Sequence, residues 1–184
     1  MVALPADMWL SSPVEMYMNA AEKLKSAADE AYNLHPVSCS HAVWHVIKQY
    51  VQGQTYFTAN ALLLQLECDP RWKQVRADEL QKLANEGVLI VGGLAESPNG
   101  HVVIVYPGAA KLSGGYKAAM NGKSDTVGSK GPYALAMSRS MGSWPGATSK
   151  GDKTVWDPWA NDKKFAKVKF WRFDPTAKKI SAAC

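Results

Sequence analysis

The stretch that decides the fold is SCSHAVWHVIKQY, residues 38–50. Counted from Cys39, its apolar residues recur at helical spacing, which predicts an amphipathic helix with one face in the core. Pro36 disfavours a helix upstream and Ser38 is a good N-cap, so the helix is predicted to begin at Cys39. Gly53 is predicted to end it. The thiol therefore opens a buried helix.

Cys39 is the first candidate functional residue. In the first turn of a helix, unpaired N–H groups and the positive end of the dipole favour an anion. This setting predicts a thiol pKa below the free value of about 8.5, and the thiolate is the nucleophilic form of cysteine. The alternative is a small core residue, because free cysteine is among the most often buried side chains.

Capping signals place three more helices around this one. Ser12 as N-cap and Pro13 at the first helical position predict a first helix that runs to about Tyr32, after an irregular lead over residues 1–12. The third and fourth helices are predicted over residues 59–68, capped by Thr58, and 78–85, closed by Gly87.

After Gly87 the apolar pattern becomes that of β-strands. The runs 88–91 and 101–106 flank a turn and predict a strand pair. Further strands are predicted over 132–137, 154–156 and 167–173, and a long loop is predicted over 107–130. Helices followed by an antiparallel sheet predict the α+β class rather than a doubly wound fold.

Composition limits the class of protein. With 184 residues, 47% of them hydrophobic, the chain can bury one core, so residues 1–184 are expected to form a single domain. The N-terminus has no signal-peptide pattern and no run is long enough for a membrane span, so no membrane insertion is expected. The net charge of +5 favours anionic polymers, but no RNA-binding motif or zinc finger is present and no nucleic-acid partner is expected.

The three cysteines include no CxxC pair, and the four histidines add no ligand pair at metal-site spacing. A structural zinc site is therefore not expected. No other metal and no cofactor are expected either. In an oxidising compartment Cys68 and Cys184 could pair, which would leave Cys39 free.

His101 is the second candidate functional residue, because it begins a hydrophobic strand directly after Asn99-Gly100. A histidine there would lie where a turn opens the core to solvent. A thiol at a helix start and an imidazole on a strand form the pair that a cysteine hydrolase needs, since the imidazole takes the thiol proton and returns one to the leaving amine. The alternative is a histidine with only a local hydrogen bond.

Two short motifs carry a family resemblance. SCSHAVWHVI, residues 38–47, and NGHVVIVYPG, about sixty residues later, resemble the Cys and His boxes of the CHAP and NlpC-type cysteine amidases, a papain-like superfamily that cleaves peptidoglycan stem peptides. The chain is similar also, and more closely, to the type VI secretion amidase effectors. Their ordered pieces correspond here to Cys39-Ser40, Ala59-Asn60-Ala61, residues 88–93 and Gly100-His101-Val102. The similarity covers about residues 38–107, and more loosely extends to Trp171.

The resemblance implies a papain-like α+β fold and a peptidoglycan amidase that cleaves stem peptides or cross-links through Cys39 and His101. It also implies an antibacterial toxin that is injected without a signal peptide and acts in the periplasm of the target cell. A cognate immunity protein that plugs the cleft is the expected partner, and the positive charge would suit both an acidic inhibitor and the anionic cell wall.

The group that orients the imidazole is left open by the sequence. Ser138, Asp157, Asp125 and a backbone carbonyl are all candidates. The backbone N–H of Cys39 is the expected first oxyanion donor, and the second is unassigned.

Other histidines and aromatic residues are predicted to have structural roles. His41 and His45 are offset from the Cys39 face of the helix and are predicted to be surface or packing residues. Trp44 and Tyr56 could line a substrate groove, although large aromatic residues are more often in the core. Packing is also predicted for Trp156, Trp159 and Trp171.

Two other functions are consistent with the same residues. A papain-like acyltransferase or transglutaminase would use Cys39 and His101 but pass the acyl group to an amine. A non-enzymatic module that binds the cell wall or a partner would not need the thiol.

Overall fold

The protein is described from a computed structural model that covers residues 19–120 and 123–178. Its helices are α1 (Ala20–Leu34), α2 (Cys39–Ile47), α3 (Ala59–Cys68), α4 (Leu80–Asn85) and α5 (Asp162–Phe165). Its strands are β1 (Trp72–Val75), β2 (Ile90–Leu94), β3 (His101–Ser113), β4 (Tyr116–Met120), β5 (Lys123–Val127), β6 (Lys130–Ser138), β7 (Ser149–Thr154) and β8 (Lys169–Phe173). The first three helices precede all the strands, and the main sheet is antiparallel, which confirms the predicted α+β class.

The main sheet has six strands in the order β1-β8-β2-β3-β6-β7, and each neighbouring pair is antiparallel. The predicted pairing of the two runs after Gly87 is confirmed, with Val91 opposite Ile104. Alternate residues of β3 enter two cores. Val102 and Ile104 pack with α1, α2 and α3 on one face, whereas Val103 and Val105 pack with α4 and Trp159 on the other. The sheet is therefore covered on both faces.

Helix α1 begins later than the sequence predicted. Asn19 has extended backbone and forms a reciprocal cap with Glu22, whose amide donates to Asn19 Oδ1 at 2.9 Å. A single helix from Pro13 to Tyr32 is therefore wrong, because the chain is not helical at Asn19. The predicted cap Ser12, like the whole predicted lead over 1–12, lies outside the described residues.

Helix α2 begins where the sequence predicted. Ser38 is extended, and its hydroxyl accepts from the His41 amide at 3.3 Å. The helix ends at Ile47 rather than near Gly53, because turn hydrogen bonds such as Tyr50 N–H to Ile47 C=O replace the helical pattern. Cys39 is thus the first residue of a short, mostly buried helix.

The predicted loop over residues 107–130 is wrong. Strand β3 continues to Ser113, and β4 and β5 form a hairpin beyond it. The buried Asp157 carboxylate anchors the base of this hairpin, since it accepts hydrogen bonds from the Gly114 amide at 2.8 Å and the Tyr116 hydroxyl at 3.0 Å. The glycine- and lysine-rich sequence of residues 107–130 contains no local pattern that indicates this contact with Asp157.

Two strands also differ from their predictions. Strand β1 was not predicted, and β7 ends at Thr154, where the predicted strand over 154–156 was to begin. Cys68 is disulfide-bonded and Cys39 is a free thiol, while Cys184 lies outside the described residues, so the predicted Cys68–Cys184 pair stays a prediction. Within the described ranges, no helix has the length and apolar character needed to cross a bilayer.

Candidate active site

Cys39 and His101 line the same pocket, which has a volume of about 500 Å³. Its walls are formed by the starts of α2 and α3, the turn before β3, the segment after β6 and the segment around α5. The lining residues are Val37, Ser38, Cys39, Ser40, Tyr56, Thr58, Ala59, Glu96, Asn99, Gly100, His101, Ser140, Met141, Trp144, Pro158, Trp159 and Lys164. The two residues that the sequence singled out, 62 positions apart, are thus brought together at one solvent-reachable surface.

The Cys39 sulfur lies against the start of strand β3. Backbone N–H groups of Val102, Ser40 and Cys39 itself point at the sulfur and lower the pKa of the thiol. Burial against the helical core has the larger effect and raises the pKa of Cys39 above its ordinary value. The predicted lowering of this pKa is therefore wrong, because the half-buried thiol loses more stabilisation of its charged form to desolvation than the backbone N–H groups restore.

Ser138 orients the His101 ring. The Ser138 hydroxyl lies 3.1 Å from the Ala147 carbonyl oxygen, which can only accept, and 2.9 Å from His101 Nε2. A hydroxyl has one proton, so Ser138 donates to Ala147 and accepts from Nε2–H. This assignment leaves the lone pair of the neutral imidazole on Nδ1, the nitrogen available to a thiol proton.

The surroundings of His101 favour the neutral ring. Burial lowers the pKa of His101 to about 4, and the nearby Glu96 carboxylate acts in the opposite direction without overcoming it. The His101 and Trp159 rings pack edge to face, with 5.6 Å between their centroids. With the pKa of Cys39 raised as well, both side chains are favoured in their neutral forms, a thiol and an uncharged imidazole.

Among the candidates for the orienting group, the geometry favours Ser138. The Asp157 carboxylate is occupied by the Thr154 amide and hydroxyl, at 2.7 and 2.9 Å, and by the hairpin contacts described above. The side chain of Asp125 lies outside the described part of the chain. Ser138 ends β6, the strand beside β3, which explains how it reaches the histidine.

His41 and His45 are placed as packing residues, as predicted. The His41 ring stacks on Tyr56 at 4.1 Å and its Nδ1 lies 2.8 Å from Ser38 Oγ, whereas His45 Nε2 lies 3.4 Å from a Glu30 carboxylate oxygen. Neither histidine is among the residues that line the pocket.

The aromatic predictions have mixed outcomes. Trp44 is not a lining residue, and its indole N–H donates to the Gln54 carbonyl. Tyr56 does line the pocket, and its hydroxyl lies 3.0 Å from Ser40 Oγ. Trp159 packs in the core as predicted but also forms part of the pocket wall, while Trp156 and Trp171 are buried.

Sequence reasoning missed Glu96, Trp144 and Lys164 as parts of the site. They come from three separate segments, and no local motif links them to Cys39 or His101. In the described ranges no group of three or more His, Cys, Asp or Glu side chains is arranged to hold a metal ion.

No known family model matches the chain, and no curated protein matches its sequence.

Proposed function

We propose that the protein is a cysteine amidase that cleaves amide bonds in peptidoglycan peptides, with Cys39 as nucleophile and His101 as acid–base catalyst. The observation that carries the proposal is the shared pocket of Cys39 and His101, with His101 Nε2 fixed by Ser138. The peptidoglycan substrate is supported by the motif resemblance of residues 38–47 and 99–108.

The geometry supports acyl transfer to water in two steps. His101 Nδ1 takes the Cys39 proton as the sulfur attacks the amide carbonyl carbon, and the imidazolium then protonates the nitrogen as the C–N bond breaks. A water that gives its proton to His101 then attacks the thioester, and Cys39 leaves as its thiol. General base action of this kind contributes a factor of about 10²–10⁴ in rate.

Delivery and inhibition form part of the same proposal. The resemblance to type VI secretion amidase effectors supports an antibacterial toxin injected into the periplasm of a target cell, with an immunity protein that covers the pocket in the producing cell. The net charge of +5 is consistent with attraction to an acidic inhibitor and to the anionic wall.

Release of new amines from purified sacculi tests the proposed reaction. The wild-type protein is expected to release them in the presence or absence of EDTA, and Cys39→Ala is expected to release none while keeping the wild-type circular dichroism spectrum. Undiminished release by Cys39→Ala would contradict the proposal. Loss of activity in EDTA that zinc restores would instead indicate a metal amidase, and acyl transfer to added amines would indicate an acyltransferase.

A further inference from the structure

The pocket wall carries one positive and one negative side chain beside the reactive pair. Among the lining residues, which all belong to the described part of the chain, the two with a permanent charge at neutral pH are Glu96 and Lys164. The other lining side chains, apart from the titratable Cys39, His101 and Tyr56, are apolar or neutral polar groups. The charges of Glu96 and Lys164 therefore cancel in the net charge of the pocket wall, but the wall is strongly polar where these two side chains lie.

The two charges form an ion pair that remains open to solvent. Lys164 Nζ lies 2.9 Å from one Glu96 carboxylate oxygen and 3.2 Å from the other, and the side chains are 51% and 35% exposed. Exposed pairs of this kind contribute little to stability. Their free hydrogen-bonding capacity is thus available to a ligand in the pocket.

The position of Glu96 is fixed relative to His101. The Asn60 side-chain amide donates to the Glu96 carbonyl at 2.9 Å, and its oxygen accepts from the Glu96 amide at 3.3 Å. The same Asn60 oxygen leaves no room for a Cβ at Gly100, the residue that precedes His101. Asn60 of α3 therefore holds Glu96 by two hydrogen bonds and lies against Gly100, so one side chain contacts both ends of the turn that delivers the histidine.

We propose that Glu96 and Lys164 form a subsite for a zwitterionic centre of the substrate, a carbon that bears both a free ammonium and a free carboxylate. A ligand group with a single charge would be attracted by one member of this pair and repelled by the other. A zwitterionic centre laid antiparallel places its ammonium on Glu96 and its carboxylate on Lys164, so both contacts are charge-assisted. This inference rests on the proposed function, since it assigns the substrate end group of the same pocket.

Binding to the Cys39→Ala protein tests the subsite without any reaction. The probe is a synthetic stem tripeptide that ends in diaminopimelate, whose side chain ends in such a centre, and calorimetry measures its affinity. Its lysine analogue, which lacks the side-chain carboxylate, and a side-chain N-acetylated form are each expected to bind at least tenfold more weakly. Lys164→Gln is expected to weaken the binding only of probes that carry the side-chain carboxylate. Glu96→Gln is expected to weaken the binding only of probes that carry the side-chain ammonium.

Lys169→Gln is the matched control. Lys169 pairs with Glu67 at similar exposure, 51% and 44%, but neither residue lines this pocket, so this variant is expected to bind all probes as the parent does. Equal affinity for all three probes, or equal weakening of all three by Lys164→Gln, would overturn the subsite. Charge-dependent binding in a protein whose wild-type form cleaves nothing would overturn the amidase proposal and leave the subsite intact.

Discussion

At the scale of single residues, the tautomer of the His101 ring depends on the direction of the Ser138 hydrogen bonds. Ser138 can satisfy the Ala147 carbonyl and His101 Nε2 together only if it donates to the first and accepts from the second. The imidazole is then held in the tautomer that presents a basic Nδ1. In the proposed mechanism Ser138 is thus a positioning residue, which would act on the substrate through His101.

Removal of this hydroxyl has a specific expected effect. Ser138→Ala should lower kcat about fivefold, as expected for the loss of one neutral hydrogen bond of about 1 kcal/mol, with little change in KM. Steady-state kinetics on a soluble stem peptide measures both constants.

Ser149→Ala provides the control, because Ser149 is also buried, pairs with Ser138 in the sheet and donates its hydroxyl to the Ala136 carbonyl at 2.6 Å. It should cost similar stability and leave kcat unchanged. An unchanged kcat in Ser138→Ala, or an equal loss in both variants, would show that Ser138 does not orient the base.

At the scale of elements, the start of α2 and the turn before β3 must meet with little freedom. Ser38 caps the helix at Cys39, and Asn60 of α3 clamps the turn that ends at His101. Helix α2 packs directly on β3, and the Val102 amide is close enough to the Cys39 sulfur to lower the pKa of the thiol. The relative position of thiol and imidazole is therefore set by backbone groups as much as by side chains.

Gly100 is a position at which a small substitution would disturb this arrangement. A Cβ in Gly100→Ala would collide with Asn60 Oδ1 and lie 2.6 Å from the Leu94 carbonyl oxygen, so the turn would have to move. Because a displacement of about 1 Å can cost a factor of about 10² in rate, kcat/KM is expected to fall by about that factor.

Gly128→Ala is the comparison, since an added Cβ there meets no atom within 4 Å. Kinetics of both variants, with circular dichroism to verify folding, measure the difference. Wild-type activity in Gly100→Ala would mean that the turn does not need this geometry.

At the scale of the whole molecule, burial of His101 links the site to stability. The pKa of the ring falls from 6.5 to about 4 in the folded protein, so the unfolded chain takes up a proton first as the pH falls. The free energy of unfolding therefore decreases between about pH 6.5 and 4, by up to about 3 kcal/mol from this residue.

Urea unfolding at pH 7 and pH 4.5 measures this contribution. Wild type and His101→Gln share all other titrating groups, including His35, whose pKa burial also lowers. The wild type is expected to lose more stability than His101→Gln between the two pH values. Equal losses would show that His101 is not held neutral by the fold.

Local sequence signals predicted the parts of this fold that local interactions determine. The cap at Ser38, the helix start at Cys39 and the pairing of the two strands after Gly87 all follow from patterns within a few residues. The β4–β5 hairpin was missed because Asp157 supports it from more than forty residues away. The start of α1 was misplaced because Ser12-Pro13 resembles a cap and Asn19 provides one.

The same distinction between local and distant interactions applies to the candidate site. Cys39 and His101 could be identified because each follows a recognisable helix or turn signal. The pKa of Cys39 could not be predicted, because it depends on how deeply α2 packs against the sheet. The contact between the His101 and Trp159 rings and the Glu96–Lys164 ion pair could not be predicted either, because each joins residues from separate segments of the folded chain.

Trapping of the covalent intermediate tests the central claim most directly. The protein is mixed with a soluble stem peptide, quenched in acid within the first turnover and analysed by mass spectrometry after digestion. The account predicts that the peptide containing Cys39 gains the mass of the acyl fragment, and that Cys39→Ala gains none and forms no product. Cleaved product from Cys39→Ala, or an acyl group found on another residue, would contradict it.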